Sequence, residues 1–179
     1  MITIGGPKPT TEPLGLLVDC HRRIEAALAV LVGASQWGYG VIGDEQRVAL
    51  GKALHFFRDM APKHTADEER SLFPRLREKG EPLAELDALE NDHAAADNWH
   101  LEVDRLGRLW IEQGALEPAD RAAYDHLTAQ LAELYARHIA VEDNIVFPLA
   151  RKRLTLDEQE QVRREMVSRR AITLTGASN

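Results

Sequence analysis

A single cysteine, Cys20, among 179 residues excludes an internal disulfide framework, a CxxC redox pair and a cysteine-rich zinc site. Aromatic residues are scarce at 6%, and Trp37, Trp99 and Trp110 read as packing residues rather than a binding box. No apolar run approaches the ~18–20 residues that a membrane span needs. Positive charge is also short: 22 basic against 29 acidic side chains give a formal net charge of −7. That excludes the usual electrostatic footprint of a nucleic-acid or anionic-membrane binder. The runs Arg151-Lys152-Arg153 and Arg163-Arg164 are short and interrupted, so they read as solvated helix surface. Residues 1–13 contain Gly5-Gly6-Pro7 and two further prolines, with no long apolar core. They read as a flexible tail, neither signal peptide nor anchor, and the expected compartment is the cytoplasm.

What is present points to one all-α domain. Hydrophobic residues make up 44% and charged residues 28%, a balance able to bury a sizeable core. Apolar residues recur at steps of three and four almost throughout. A first helix is expected from near Thr11, with seam Leu14, Leu17, His21, Ile24, Leu28 and Leu31, ending by Gly33. Asp44 is the expected cap of a second, with seam Leu50, Leu54, Phe57, Ala61, His64 and Glu68; Pro62 and Pro74 should kink or end it. After Gly80-Glu81-Pro82 a third helix runs through Leu86, Leu89, His93, Ala96, His100, Val103, Gly107 and Trp110. Pro118 opens a fourth, with Leu127, Leu131, Leu134, His138, Glu142 and Ile145 expected to face the core. Thr155 to Glu158 has the spacing of a capping box for a short fifth helix ending near Arg170. The expectation is an antiparallel up-down-up-down bundle over 14–150, with residues 151–179 as C-terminal helix and tail.

Two segments of this pattern repeat. Residues 64–74 and 138–148 both obey H-x-x-x-E-[ED]-x-x-[LV]-F-P, and His21 and His93 precede them by 43 and 45 residues. Each half therefore supplies one lone seam histidine and one HxxxE unit, a coincidence that internal repetition makes far less accidental. Positions i and i+4 share a helical face, so one ion can meet an imidazole and a carboxylate from the same helix. Antiparallel neighbours bring the four histidines to one end of the bundle. Burying them with two carboxylates would cost ~1–3 kcal/mol per unsatisfied group, and more for charge, unless cations were bound. Imidazole and carboxylate without thiolate suit iron, manganese or zinc.

At these residues the chain resembles the hemerythrin-like, or HHE cation-binding, family over roughly residues 14–150. The resemblance implies a non-haem di-iron centre in which His21, His64, His93 and His138 are terminal ligands. Glu68 and Glu142 would bridge the two irons, alongside an oxo, hydroxo or water bridge. Oxygen-carrying hemerythrins place a second histidine one turn after that of the third helix, where this chain has Asp97. They also take the fourth-helix carboxylate from the position of Asp143 rather than Glu142. The ligand pattern is closer to iron–sulfur cluster repair di-iron proteins, without the separate N-terminal domain of many of them.

Open coordination positions on two irons would bind O2, NO or peroxide, and a protein that binds or senses such ligands is the expected function. The alternatives are an enzyme of oxidative or nitrosative stress, consuming peroxide or NO or donating iron for cluster repair, and an iron store or interaction module with structural metal. Glu25 and Asp97, each at i+4 from a lone histidine, are candidate acceptors for imidazole N–H groups. His100 lies about 10 Å along the seam from His93, too far to join the same ions, and reads as a satisfied core histidine. His55 and His126 read as core-edge or surface residues. Glu90 and His93 spell a single ExxH unit, where a ferritin-like site wants two.

Overall fold

The structure, a computed structural model, describes residue 12 and residues 14–80 and 84–176. Its helices are α1 (Gly15–Gly33), α2 (Asp44–Asp59), α3 (Ala61–Asp67), α4 (Phe73–Glu78), α5 (Ala84–Gln113), α6 (Pro118–Val141), α7 (Phe147–Arg153) and α8 (Leu156–Gly176). Two π-helical turns, Glu68–Leu72 and Glu142–Val146, join α3 to α4 and α6 to α7. α2 to α4 thus form one long interrupted helix, and α6 with α7 another. The pairs α1–α2, α2–α5, α5–α6 and α6–α1 are in contact, which closes an antiparallel four-helix bundle. Among the described residues no strand occurs, and no helix is long and apolar enough to cross a membrane.

The predicted seams of the first and second helices are buried throughout. Helix boundaries differ more. α1 begins at Gly15 rather than near Thr11; Glu12 precedes a proline, which disfavours helical backbone there. Thr11 and Pro13, and the tail of residues 1–13 apart from Glu12, lie outside the described residues. Gly43, not Asp44, caps α2, and its N–H donates to Gln46 Oε1 (2.8 Å). The second helix breaks at Met60, which places Pro62 in the first turn of α3, where its missing N–H costs nothing. On α5, Gly107 allows a close approach to α2: a Cβ there would lie 2.7 Å from Leu54 Cδ1.

The fifth helix is not short. The predicted capping box is present, with Thr155 N–H donating to Glu158 Oε2 (2.8 Å) and Glu158 N–H to Thr155 Oγ1 (3.2 Å). No glycine or proline follows until Gly176, so the helix runs 21 residues. α8 buries Val162 and Met166 against Leu14, Leu17, Phe73 and Phe147. This group forms a second apolar cluster at the end of the bundle where α1 and α5 begin. The larger cluster, from Cys20 and Ile24 to Trp110 and Tyr124, fills the other end.

Candidate metal centre

Between the two apolar clusters lies a layer of buried polar side chains, so the histidines sit near one end of the bundle but are sealed from it. His21, His64, Glu68, His138 and Glu142 are almost fully buried, and His93 is 9% exposed. The ligand-type atoms of His21, His64, Glu68 and Glu142 all lie within 4.8 Å of one another, as do those of Glu68, His93 and His138. All six sequence-predicted residues are therefore brought together, in two groups that share Glu68.

The facing atoms are the histidine Nε2 and the carboxylate oxygens. Glu68 Oε1 is 3.0 Å from His64 Nε2 and 4.0 Å from His21 Nε2, while its Oε2 is 3.4 Å from His93 Nε2. Glu142 Oε2 is 3.1 Å from His21 Nε2 and 3.3 Å from His138 Nε2. His21 and His64 meet edge to face at 4.9 Å, and His93 and His138 lie 4.7 Å apart. Both oxygens of each glutamate, and Nε2 of His21, are buried without a hydrogen-bond partner. Buried carboxylates left so are costly, and cations between the imidazoles and the carboxylates would satisfy them.

Without a cation, protons take that place. Burial acts to lower His64 and His93, but the Glu68 carboxylate outweighs it, lifting His64 well above the ordinary histidine value and His93 to about 9. Burial acts to raise Glu68, yet the His64 charge holds it well below the usual carboxylate range. A metal must displace these protons, since ligating imidazole is neutral.

The acceptors behind the imidazoles are not those expected. His21 Nδ1 donates to Asp143 Oδ1 (2.8 Å) and His93 Nδ1 to Glu69 Oε1 (2.8 Å). His138 Nδ1 lies 3.5 Å from Asp92 Oδ2. A carboxylate can only accept, so the bonds of His21 and His93 put the proton on Nδ1 and leave the Nε2 lone pair for a cation, whereas His138 Nδ1 makes no hydrogen bond. Glu25 is exposed and pairs with Arg22 (2.8 Å), and Asp97 is exposed on the rim of a cavity beside His93. Neither pairs with the histidine of its own helix, because the Nδ1 atoms of His21 and His93 are turned to Asp143 and Glu69 on other helical segments. Glu69 and Asp143 were nevertheless legible: they are the second acid of the repeated motif, present in both copies directly after Glu68 and Glu142.

The rest of the motif also has a physical role. Phe147 stacks on the His21 ring at 5.2 Å. Pro74 and Pro148 cannot donate to the carbonyl four residues back and would clash with it in a regular helix. The π turns remove that conflict: Phe73 and Phe147 donate to Glu68 O and Glu142 O instead. The wider turn takes up one more residue, so the register shifts and Ile145, expected in the core, is 44% exposed while Val146 and Phe147 are buried.

Other singled-out residues are accounted for. His100 Nε2 pairs with Tyr135 Oη (2.9 Å) and its ring stacks on Phe57, with burial lowering it to about 4. His55 is exposed and pairs with Asp59, and His126 is exposed. Glu90 is turned to Arg77 (3.0 Å), away from the centre. Trp110 is buried, with Trp37 packed beside it at 5.8 Å. Sequence reasoning missed Asp67, fully buried beside Glu68 and held by Arg169 and Arg170 of α8, both at 2.7 Å.

An uncharacterized protein of Haemophilus influenzae is 28% identical over 169 residues, covering 90% of this chain and 91% of its own. The family model described as the hemerythrin HHE cation binding domain matches residues 12–150, and that match spans both HxxxE units and both lone histidines of the buried layer. The chain belongs to the hemerythrin HHE cation-binding domain family.

Proposed function

We propose that the protein holds two iron ions, non-haem and bridged by carboxylate, and uses them to bind or sense O2, NO or peroxide. The observation that carries this reading is the set of four glutamate oxygens, buried and without hydrogen-bond partners, three of which face the four histidine Nε2 atoms. His21 and His64 would serve one ion, His93 and His138 the other. Glu68 would span both, because its two oxygens face different histidine groups. A donor set of imidazole and carboxylate suits iron, manganese or zinc, and two carboxylates favour oxidised iron. Bound iron would supply open positions for a small ligand and electrons to share with it.

The protein residues do the rest. Asp143 and Glu69 fix the tautomer and orientation of His21 and His93, and the apolar clusters close the layer towards both ends of the bundle. Metal analysis combined with absorption spectra of the reduced protein, before and after O2, NO and peroxide, tests the reading. About two irons per chain and a spectral change with at least one ligand are expected. No more than a trace of transition metal in the purified protein would overturn it. Sustained peroxide or NO consumption per iron would instead make the protein an enzyme.

A further inference from the structure

The polar layer is not shut equally on all sides. Between α2–α3 and α5 a cavity of about 350 Å³ reaches inward to His93, the most exposed of the four histidines. That is far more space than a single water molecule fills. It falls at the lower end of the ~300–1,000 Å³ typical of sites for small organic molecules.

Its chemistry is divided. Leu54, Phe57 and Val103 give apolar walls, and the polar lining includes Thr65, His93 and the Tyr135–His100 pair (2.9 Å). One hydrogen bond does not exhaust a phenolic hydroxyl, which can donate once and accept twice. At the mouth stand Asp97, Asp104 and Arg58; Asp104 lies between Arg58 (3.5 Å) and Arg108 (3.7 Å), Arg58 is also 3.4 Å from Asp59, and three carboxylates there stand against two guanidinium groups. The residual negative charge there disfavours carboxylates and phosphates.

We infer that this cavity binds a neutral small organic molecule with an apolar body and a single hydroxyl-type end, of the phenol or alkyl hydroperoxide class, with that end beside Tyr135 and His93. The inference deepens the metal-centre reading and rests on it only for what the hydroxyl end meets.

Calorimetric titration of the protein as purified with phenol, and separately with benzoate, tests it at neutral pH, with metal content measured on the same sample. Phenol is expected to saturate one site and benzoate to bind at least about ten-fold more weakly. Tyr135→Phe keeps the ring and should weaken phenol roughly three- to ten-fold, the worth of one neutral hydrogen bond. Leu101→Trp, at an exposed rim position, should also weaken phenol without loading on the fold. Absence of saturable phenol binding, equal affinity for benzoate, or unchanged affinity in Tyr135→Phe would each overturn the inference. Iron-free protein that still binds phenol sinks the di-iron reading alone; iron-loaded protein that ignores phenol sinks only the cavity assignment.

Discussion

The two halves of the bundle carry the same motif, yet they are wired across each other rather than side by side. Each half brings its own histidines together, His21 with His64 and His93 with His138. The carboxylate behind each lone histidine comes from the other half: Asp143 holds His21, and Glu69 holds His93. Neither half can form a complete site alone, so the repeat is a mutual scaffold. The halves also differ. The first carries Asp67, tied to α8, where the second has Val141, and the second stacks Phe147 on His21. Matching sequences have therefore been fitted to unequal surroundings.

The strongest way to break this arrangement is to remove a shared carboxylate. Glu68→Ala and Glu142→Ala should each lower bound metal to under about a tenth, because each removes oxygens that face both histidine groups. His126→Ala should keep full occupancy, and equal metal content in all three would refute the ligand set. The crossing itself is tested by Asp143→Ala and Glu69→Ala. Loss of an acceptor behind a ligating histidine costs about 10–100-fold in metal affinity. In a stepwise metal titration, Asp143→Ala should weaken the ion at His21 and His64, and Glu69→Ala the ion at His93 and His138. The opposite assignment would undo the crossed wiring.

pH gives a smaller effect of known sign. His93 in the metal-free fold is raised to about 9, so its protonated form stabilises that fold below about 6.5. This contribution is lost as pH climbs through about 9, roughly 3 kcal/mol in all. Denaturant titrations should find the metal-free protein weakening from pH 6.5 to 9 while metal binding tightens over the same range. Stability rising there would contradict the protonated histidine. The smallest effect should come from the asymmetric clamp. Arg169→Ala leaves Asp67 with Arg170 alone and should destabilise by roughly 1–2 kcal/mol, read as a lowered melting temperature. No change would mean that Arg170 alone suffices to hold Asp67.

The apolar seams and the six inward polar positions could be read from the sequence because helical periodicity places them without reference to any neighbour. Glu25 and Asp97 misled for the same reason: spacing along one helix cannot say which side chain on the next helix faces an imidazole Nδ1. Ile145 failed because periodicity assumes a constant rise, and the repeated Phe-Pro pairs were a visible sign that the rise changes. The anchoring of α8 through Val162, Met166, Arg169 and Arg170 is tertiary, which no local propensity records.

Each π turn means that one supernumerary residue has been threaded into a helix of the polar layer at the carboxylate itself. Deleting a single residue at 70 or 144 would remove the bulge, but it would return Pro74 or Pro148 to a regular helix, where its ring meets the carbonyl four residues back. The backbone there is consequently held in its less comfortable winding by the packing on either side. Amide hydrogen–deuterium exchange should be fastest, within otherwise protected helix, over those two short stretches.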